Sequence, residues 1–113
     1  MKSKKLKSDS ILTGVAGEYF VAAELTKRGY IASITLRNTR GIDILVSNRD
    51  ATKSVGIQVK STRYSNTRAW ILNKKSENYY TNNLFYVFVN LKEGNQRPDF
   101  FIVPSKIVAE KMA

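Results

Sequence analysis

Two short apolar segments near the middle of the chain predict a β-hairpin. Residues 41–46 and residues 55–60 are both rich in Ile and Val and are bounded by turn-forming residues, which is typical of strands. The polar segment at residues 47–54 has a length that suits the hairpin loop. Side chains alternate between the two faces of a strand, so Gln58 and Lys60 share a face opposite the apolar positions.

A helical pattern precedes the hairpin. It starts at Ser10 and ends at Gly29, and its apolar residues recur at helical spacing. These residues are Ile11, Val15, Tyr19, Ala22, Ala23 and Leu25. Gly14 and Gly17 each cost about 1 kcal/mol relative to Ala inside a helix. Their presence predicts either fraying at the start of the helix or a close approach of another backbone.

Glu18 is the unusual residue of this helix because it lies in the middle of the apolar face. A buried carboxylate costs several kcal/mol unless it is paired, protonated or bound to a metal ion. Glu24 differs, since Arg28 follows it four residues later and predicts an ordinary surface ion pair.

The remaining segments complete the predicted fold. Residues 84–91 are apolar on both faces, which predicts a central strand. The other predicted elements are a basic flexible arm at residues 1–8, strands at residues 30–35 and 100–103, a helical turn or two at residues 74–83, and a closing helix from Pro104 to about Lys111. We therefore predict one domain over residues 1–113, of the α/β (α+β) class, with a mixed β-sheet, a long N-terminal helix and further helices, in the order αβββ(α)ββα.

Composition narrows the chemistry. The chain has no cysteine and no histidine, which excludes disulfides, thiol nucleophiles and cysteine–histidine metal clusters. Acid–base chemistry must then come from carboxylates, Lys, Tyr or water. Any bound metal is expected to be a hard ion held by oxygen atoms.

The charge of the chain points to a polyanionic partner. Its 19 Lys and Arg residues outnumber 9 Asp and Glu, for a formal net charge of +10. Nucleic acid is the most common partner of such a chain. The simpler alternative is that the excess positive charge serves solubility alone. An anionic membrane is a weaker rival, since no long basic amphipathic helix is present. Without a secretory signal or a membrane-spanning segment in the sequence, we expect a soluble cytoplasmic protein.

The hairpin brings an acid, an amide and an ammonium group together. If its strands pair antiparallel, Asp43 lies opposite Gln58 or Lys60, with Cβ atoms about 4.5–5.5 Å apart. Each residue alone has a simpler explanation, such as a half-buried Glu18 paired with Lys60 or an exposed strand face at residues 58–60. A purely structural cluster of these charged groups is also an alternative.

Glu18 in an early helix, Asp43 in the second strand and Gln58-Val59-Lys60 in the third resemble the PD-(D/E)XK nuclease superfamily. The resemblance covers residues 14–60 and is strongest to small restriction-like and homing-type endonucleases and to compact Holliday-junction resolvases. It implies a restriction-endonuclease-like core and a metal-dependent endonuclease that hydrolyses phosphodiester bonds in DNA.

The resemblance also implies roles for individual residues. Asp43 would bind Mg²⁺ directly, the carbonyl of Val59 would be a second ligand, and Glu18 would bind the ion directly or through water. Lys60 would position the attacking water or stabilise charge on the phosphate. Mn²⁺ is the alternative ion. Gln58 departs from the pattern, where an acid is more common, because its amide oxygen can coordinate a metal but brings no charge.

Further expectations concern partners. Four arginines flank the two strands of the hairpin and are candidates for phosphate contacts: Arg37, Arg40, Arg63 and Arg68. Because little chain remains for a separate recognition domain, we expect a homodimer or higher homo-oligomer acting on two DNA strands. The alternatives are a non-catalytic nucleic-acid-binding module that keeps the nuclease fold and, more remotely, a basic protein that docks on a protein partner.

Overall fold

A five-stranded mixed β-sheet and two helices make up the α+β fold. The computed structural model describes residues 7–36, 41–63 and 83–112. Its elements, in chain order, are α1 (Lys7–Lys27), β1 (Ile31–Ile34), β2 (Ile44–Ser47), β3 (Ser54–Arg63), β4 (Leu84–Leu91), β5 (Asp99–Pro104) and α2 (Ser105–Met112). Gly29, with φ of 99°, ends α1 in a Schellman motif in which the Tyr30 N–H donates to the Leu25 carbonyl at 3.1 Å.

The strands follow the chain order across the sheet, β1-β2-β3-β4-β5. The β1–β2, β2–β3 and β4–β5 pairs are antiparallel, and β3 runs parallel to β4. The predicted hairpin is therefore confirmed, with Ile44 opposite Ile57 and Ser47 opposite Ser54. The strand at Leu84–Leu91 has neighbours on both sides, as its two apolar faces predict.

The two faces of the sheet have different coverings. On one face Val21 of α1 packs in a buried cluster with Ile44, Ile57 and Val89. On the other face Tyr86 and Phe88 of β4 pack with Val108 of α2. Because side chains alternate along β3, its odd-numbered residues point towards α1 and its even-numbered residues point to the face of α2.

α1 crosses β3 in the opposite chain direction and touches it closely. Thr13 lies beside Arg63 at the end of β3, and Gly17 lies over Ser61 and Val59. A Cβ at Gly17 would overlap the Ser61 hydroxyl and come within 3.5 Å of a Val59 methyl group. The close approach predicted for this part of the helix is thus found at Gly17, where it involves side chains of β3. Gly14 has no neighbour within 4 Å of a Cβ position.

Three predicted boundaries are wrong by three residues, and others differ by one or two, such as Pro104, which ends β5 instead of opening the closing helix. α1 begins at Lys7, so residues 7–8 belong to the helix and not to the basic arm. Polar residues suit this first turn because its N–H groups have no helical acceptor. β2 begins at Ile44, so Asp43 precedes the strand instead of lying within it. β3 continues to Arg63, three residues beyond its predicted end.

Two other expectations concern the segment at residues 74–83 and membrane-spanning helices, and the described residues answer each of them only in part. The helical turns predicted at residues 74–83 lie outside the described residues, apart from Asn83, which is in a turn. Among the described residues, no helix has the length and apolar character needed to cross a membrane.

Candidate functional site

The site centres on Asp43, at the position where β2 and β3 stop pairing through their backbones. The Asp43 N–H donates to the Ile57 carbonyl at 2.8 Å, and among the described residues no backbone bond between these two segments is given beyond it. The next donor along β3, the Val59 N–H, is bound by the Asp43 carboxylate, with 2.7 Å between N and Oδ2. A side chain has therefore taken the place of the next backbone acceptor.

The Val59 carbonyl lies on the same side of β3 as the Asp43 carboxylate. In a strand, the N–H and C=O of one residue point towards the same neighbouring strand, as the paired exchange of bonds in antiparallel sheets requires. Since the Val59 N–H points to Asp43, its carbonyl also points to the edge that β2 has left. The sequence-based prediction of Asp43 and the Val59 carbonyl as neighbouring oxygen donors is compatible with this geometry.

Lys60 brings a positive charge to the same edge. Burial raises the pKa of the Asp43 carboxyl above its ordinary value of 3.8, while the Val59 N–H and the nearby Lys60 ammonium each lower it. Burial is the largest of these effects, so the net change is a raised pKa, and the surroundings of Asp43 disfavour its ionised form. A divalent cation bound to the carboxylate would reverse that preference.

The side-chain amide oxygen of Gln58 lacks a hydrogen-bond donor among the described residues. Its Oε1 is buried and accepts no hydrogen bond from the part of the chain that the structure describes. A buried amide oxygen without a partner costs about 1–3 kcal/mol, so it calls for an explanation. Gln58 and Lys60 extend from the face of β3 that carries Tyr86 and Phe88 of β4.

Glu18 approaches from the other face of the sheet. Gly17, the preceding residue, lies over Val59, whose N–H binds the Asp43 carboxylate. Phe20 lies with Phe100 of β5 around a shallow cleft on the β5 side of α1. Glu18 is rotated by about 200° from Phe20 around the helix, so it occupies the flank towards β1 and β2. Glu18 is half-buried, and from this helix geometry we infer that it lies on the flank of α1 nearer β1 and β2.

The donor set fits a hard divalent cation. Carboxylate, carbonyl and amide oxygens are the groups that Mg²⁺ accepts. The Asp43 carboxylate and the Val59 carbonyl share one edge of β3, whereas Gln58 lies on the α2 face of the sheet and Glu18 lies on the α1 side. The buried Gln58 Oε1 accepts no hydrogen bond from the described residues, and a cation would satisfy it. In residues 7–36, 41–63 and 83–112, no three Asp or Glu side chains form a group that could hold a metal ion. A metal here would therefore depend on the Val59 carbonyl, the Gln58 amide and water in addition to acidic groups.

Thr35 is a supporting residue that the sequence analysis did not single out. Its N–H donates to the Asp43 carbonyl at 2.9 Å, and its hydroxyl reaches the Ile42 carbonyl at 2.5 Å and the Asp43 carbonyl at 3.2 Å. These bonds fix the backbone on which the Asp43 carboxylate is carried. A threonine near the end of a predicted strand carries no sequence signal of this role.

Of the four arginines predicted to contact phosphate, the structure describes Arg63. Its side chain is exposed at the end of β3, where Nε donates to the Thr13 hydroxyl of α1 at 2.8 Å. It lies three residues beyond Lys60, on the strand that carries the site. Arg37, Arg40 and Arg68 lie outside the described residues.

Comparison with known proteins adds no family assignment. No protein-family model matches the chain. No curated protein sequence matches it at a significant level either. The fold therefore defines the chain as an α+β protein with a mixed five-stranded sheet, and its function has to be argued from the site.

Proposed function

We propose that the chain is a metal-dependent endonuclease that hydrolyses phosphodiester bonds in DNA. The observation that carries the proposal is the half-buried Asp43 carboxylate, which accepts a hydrogen bond from the Val59 N–H and has its pKa lowered by the charge of Lys60, at the edge where β2 and β3 stop pairing. A second feature is that Gln58, the residue before Val59 in β3, has a buried Oε1 that accepts no hydrogen bond from the described residues. One bound divalent cation would account both for the half-buried Asp43 carboxylate and for the unpartnered Gln58 oxygen.

The order of elements supports the PD-(D/E)XK resemblance. An N-terminal helix is followed by three antiparallel strands, and a further strand pairs parallel to the third. In this order the motif residues fall on α1, immediately before β2, and on β3. We propose on this basis that the sheet is a restriction-endonuclease-like core.

The residues that would hold Mg²⁺, or Mn²⁺ in its place, are Asp43, the Val59 carbonyl and Glu18, with Gln58 Oε1 as a neutral donor. The bound ion would neutralise charge on the phosphate and lower the pKa of a coordinated water. Asp43 is suited to this task because its carboxyl is fixed by a 2.7 Å hydrogen bond and cannot rotate freely.

Lys60 is assigned the role of stabilising the negative charge that develops on the phosphate in the transition state. Its ammonium group can donate to a non-bridging phosphate oxygen and orient the attacking water in line with the leaving oxygen. Without histidine in the chain, we assign the holding or moving of a proton at this site to Lys60, the carboxylates and bound water.

DNA as substrate is supported by charge. The net charge of +10 favours a polyanion, and the exposed Arg63 lies beyond Lys60 along β3. Contacts from such a side chain would position the phosphate backbone without reading sequence. Cleavage and binding are therefore expected to weaken steeply as salt increases.

The test is incubation of purified protein with duplex and branched DNA in Mg²⁺ or in a chelator. Asp43→Ala and Lys60→Ala are compared with Lys53→Ala, which removes the same charge from an exposed position in the β2–β3 loop. We expect cleavage in Mg²⁺ by the parent chain and by Lys53→Ala, and loss in the other two. Unchanged cleavage by both site variants would reject this assignment.

A second candidate function is a nucleic-acid-binding module that has the same fold without catalysis. The uncharged Gln58, in a position where an acid is more common, favours it. So does the lack of a three-acid group in the described ranges. Calorimetry with Mg²⁺ and Mn²⁺ separates the candidates: absent metal binding with tight, salt-sensitive DNA binding supports the module.

A further inference from the structure

A cleft opens on the α1 face of the sheet, beside the C-terminal half of the helix. Its volume is about 640 Å³, which lies within the range of about 300–1,000 Å³ that small-molecule sites occupy. α1 crosses β3 at Gly17 and then leads into β1, at the opposite edge of the sheet from β5. The helix therefore does not cover the β5 end of this face, where Ile102 is 64% exposed.

The walls of the cleft are mainly aliphatic. The lining includes six Val, Leu and Ile residues from α1, β2, β3 and β5: Val21, Leu25, Val46, Val55, Ile57 and Ile102. Asp99 also lines the cleft, but its carboxylate is paired with the Lys92 ammonium at 3.1 Å. A nucleobase is recognised through hydrogen bonds along its edge, whereas an alkyl chain requires only apolar contact. This lining suits an alkyl chain better than a base.

Glu24 holds two guanidinium groups at the mouth of the cleft. Its Oε2 accepts a hydrogen bond from Arg28 Nε and its Oε1 accepts one from Arg97 Nη2, both at 2.9 Å. The sequence predicts the first of these pairs and gives no sign of the second. Glu24 and Arg28 line the cleft, and Arg97 lines a shallower cleft that adjoins it at Glu24 and Pro98.

The two guanidinium groups have donors left for an anion. Each has five N–H donors, of which one is used on Glu24 within the part of the chain that the structure describes. The side chains of Arg28 and Arg97 are 67% and 68% exposed. One carboxylate does not neutralise two guanidinium charges, and Lys27 adds a positive charge in the adjoining cleft. The mouth therefore attracts an anion, and the walls attract an apolar body.

We propose that this cleft binds a small amphiphilic acid, with its alkyl chain along the walls and its carboxylate against Arg28 and Arg97. A planar guanidinium matches the two oxygens of a carboxylate. A phosphate monoester offers the same match, but its charge of about −1.5 to −2 makes it more costly to desolvate at an apolar rim. The cleft is separate from the proposed nuclease site, since Val46 and Val55 lie towards the loop of the hairpin and Asp43 precedes the other end of β2.

The first experiment titrates the full chain with sodium decanoate in a calorimeter, below the concentration at which decanoate forms micelles. We expect saturable binding of one decanoate per chain. Octanoate is shorter by two CH₂ groups and should bind about tenfold more weakly. Decyltrimethylammonium, which has a cationic head, should bind at least tenfold more weakly than decanoate. Absent decanoate binding, or equal binding of the cationic amphiphile, would overturn the proposal, and tighter binding of decyl phosphate would overturn the choice of a carboxylate.

The second experiment repeats the decanoate titration with variants at exposed positions. Arg28→Gln removes a guanidinium from the mouth, and Ile102→Asp places a negative charge on the aliphatic wall. Each should weaken decanoate binding at least tenfold. Lys106→Gln and Ile107→Asp make the same changes of charge on α2, which packs on the other face of the sheet, and should bind as the parent chain does. A loss no greater in the cleft variants than in their α2 controls would overturn the proposal, and circular dichroism checks that every variant folds.

The third experiment locates the ligand by the amide chemical shifts of the ¹⁵N-labelled chain. Decanoate should shift the amide signals of Arg28, Val55 and Ile102 and leave that of Lys106 unchanged. Shifts confined to α2 would place the binding site elsewhere. The mononucleotide dAMP is titrated as a competitor, and displacement of decanoate by an equal concentration of dAMP would assign the cleft to a nucleotide instead. These measurements use neither Mg²⁺ nor DNA cleavage, so failure here is distinct from failure of the nuclease proposal.

Discussion

The Asp43 carboxylate binds the backbone N–H of Val59 at 2.7 Å, in a place where a backbone carbonyl would continue the β2–β3 pairing. A carbonyl would satisfy that N–H without burying an ionisable group. The carboxylate satisfies it too, but burial raises the pKa of the carboxyl. Residues that lower the stability of a fold are concentrated at functional sites. We therefore interpret Asp43 as a functional residue.

Replacement of Asp43 by Asn should stabilise the metal-free protein at neutral pH. The native pKa of Asp43 lies above its ordinary value of 3.8, so the native state holds this proton more tightly than the unfolded state does. The contribution of Asp43 to the free energy of unfolding therefore falls as pH rises above about 3.8, through its native pKa. Asn can still accept the hydrogen bond from the Val59 N–H.

The measurement is chemical unfolding of both proteins between pH 4 and pH 8, with and without Mg²⁺. The stability advantage of Asp43→Asn should grow with pH and then level off. Mg²⁺ at one hundred times its dissociation constant should stabilise the parent chain by about 2.7 kcal/mol and leave Asp43→Asn unchanged. Equal pH dependence in the two proteins would show that Asp43 is not perturbed.

Removal of the Lys60 ammonium should impair cleavage more than metal binding. Lys60→Ala leaves every proposed metal ligand in place and removes a positive charge beside Asp43. We expect cleavage to fall about 10²–10³-fold, the usual effect of losing one electrostatic contact in a transition state. Calorimetry should give equal or tighter Mg²⁺ binding. A large loss of Mg²⁺ affinity would instead assign Lys60 a role in building the site.

Gln58 variants should separate metal affinity from stability. Gln58→Glu puts an unpaired carboxylate where Oε1 is now buried, so it should lower the stability of the metal-free protein. If Gln58 is a metal ligand, the added charge should tighten Mg²⁺ binding about tenfold. Gln58→Met has a similar size without the unpartnered oxygen, and should stabilise the metal-free protein while weakening Mg²⁺ binding. Thermal unfolding and calorimetry report the two quantities. Metal binding that appears only in Gln58→Glu would favour the non-catalytic module.

Much of the fold follows from local patterns that the sequence displays. Alternating Ile and Val predict the hairpin, and the apolar run at residues 84–91 predicts a strand with neighbours on both sides. The predicted ion pair between Glu24 and Arg28 is present at 2.9 Å. These features depend on residues close in sequence, so periodicity and spacing are sufficient to find them.

The details of the site depend on pairing between distant segments, which no local pattern contains. Asp43 was predicted inside a strand, because Ile42 and Ile44 on either side of it suit one. The strand begins one residue later because the carboxylate, and not the next backbone group, accepts the Val59 N–H. The contacts of Thr35 with the Asp43 backbone are equally non-local.

Loss of the Thr35 hydroxyl should weaken the site without removing a ligand. Thr35→Val keeps the shape and the backbone bond but removes the contacts to the Ile42 and Asp43 carbonyls. We expect a loss of about 0.5–1.5 kcal/mol in the free energy of unfolding and weaker Mg²⁺ binding. Thr35→Ser, which retains the hydroxyl, should restore most of the Mg²⁺ affinity. Equal Mg²⁺ affinity in the Val variant and the parent chain would contradict a positioning role.

Two glycines of α1 should respond in opposite ways to replacement by Ala. At Gly17 a Cβ would overlap the Ser61 hydroxyl and lie 3.0 Å from Ser61 Cβ, so α1 must move away from β3. Such overpacking costs about 1–3 kcal/mol. At Gly14 nothing lies within 4 Å of a Cβ, and Ala should stabilise the helix by up to about 1 kcal/mol.

Urea unfolding of Gly14→Ala, Gly17→Ala and Ser61→Ala, singly and combined, measures these effects. Ser61→Ala removes a buried hydroxyl that has no hydrogen-bond partner in the described part of the chain, so it should be neutral or stabilising. Because the Ser61 hydroxyl is the nearest obstacle to a Cβ at Gly17, the Gly17→Ala and Ser61→Ala effects should not be additive, with a smaller loss in the double variant. Additive effects would mean that α1 and β3 are not in contact at these two residues.

Since Gly17 also precedes Glu18, Gly17→Ala should reduce Mg²⁺ affinity if the helical carboxylate contributes to the site, whereas Gly14→Ala should not.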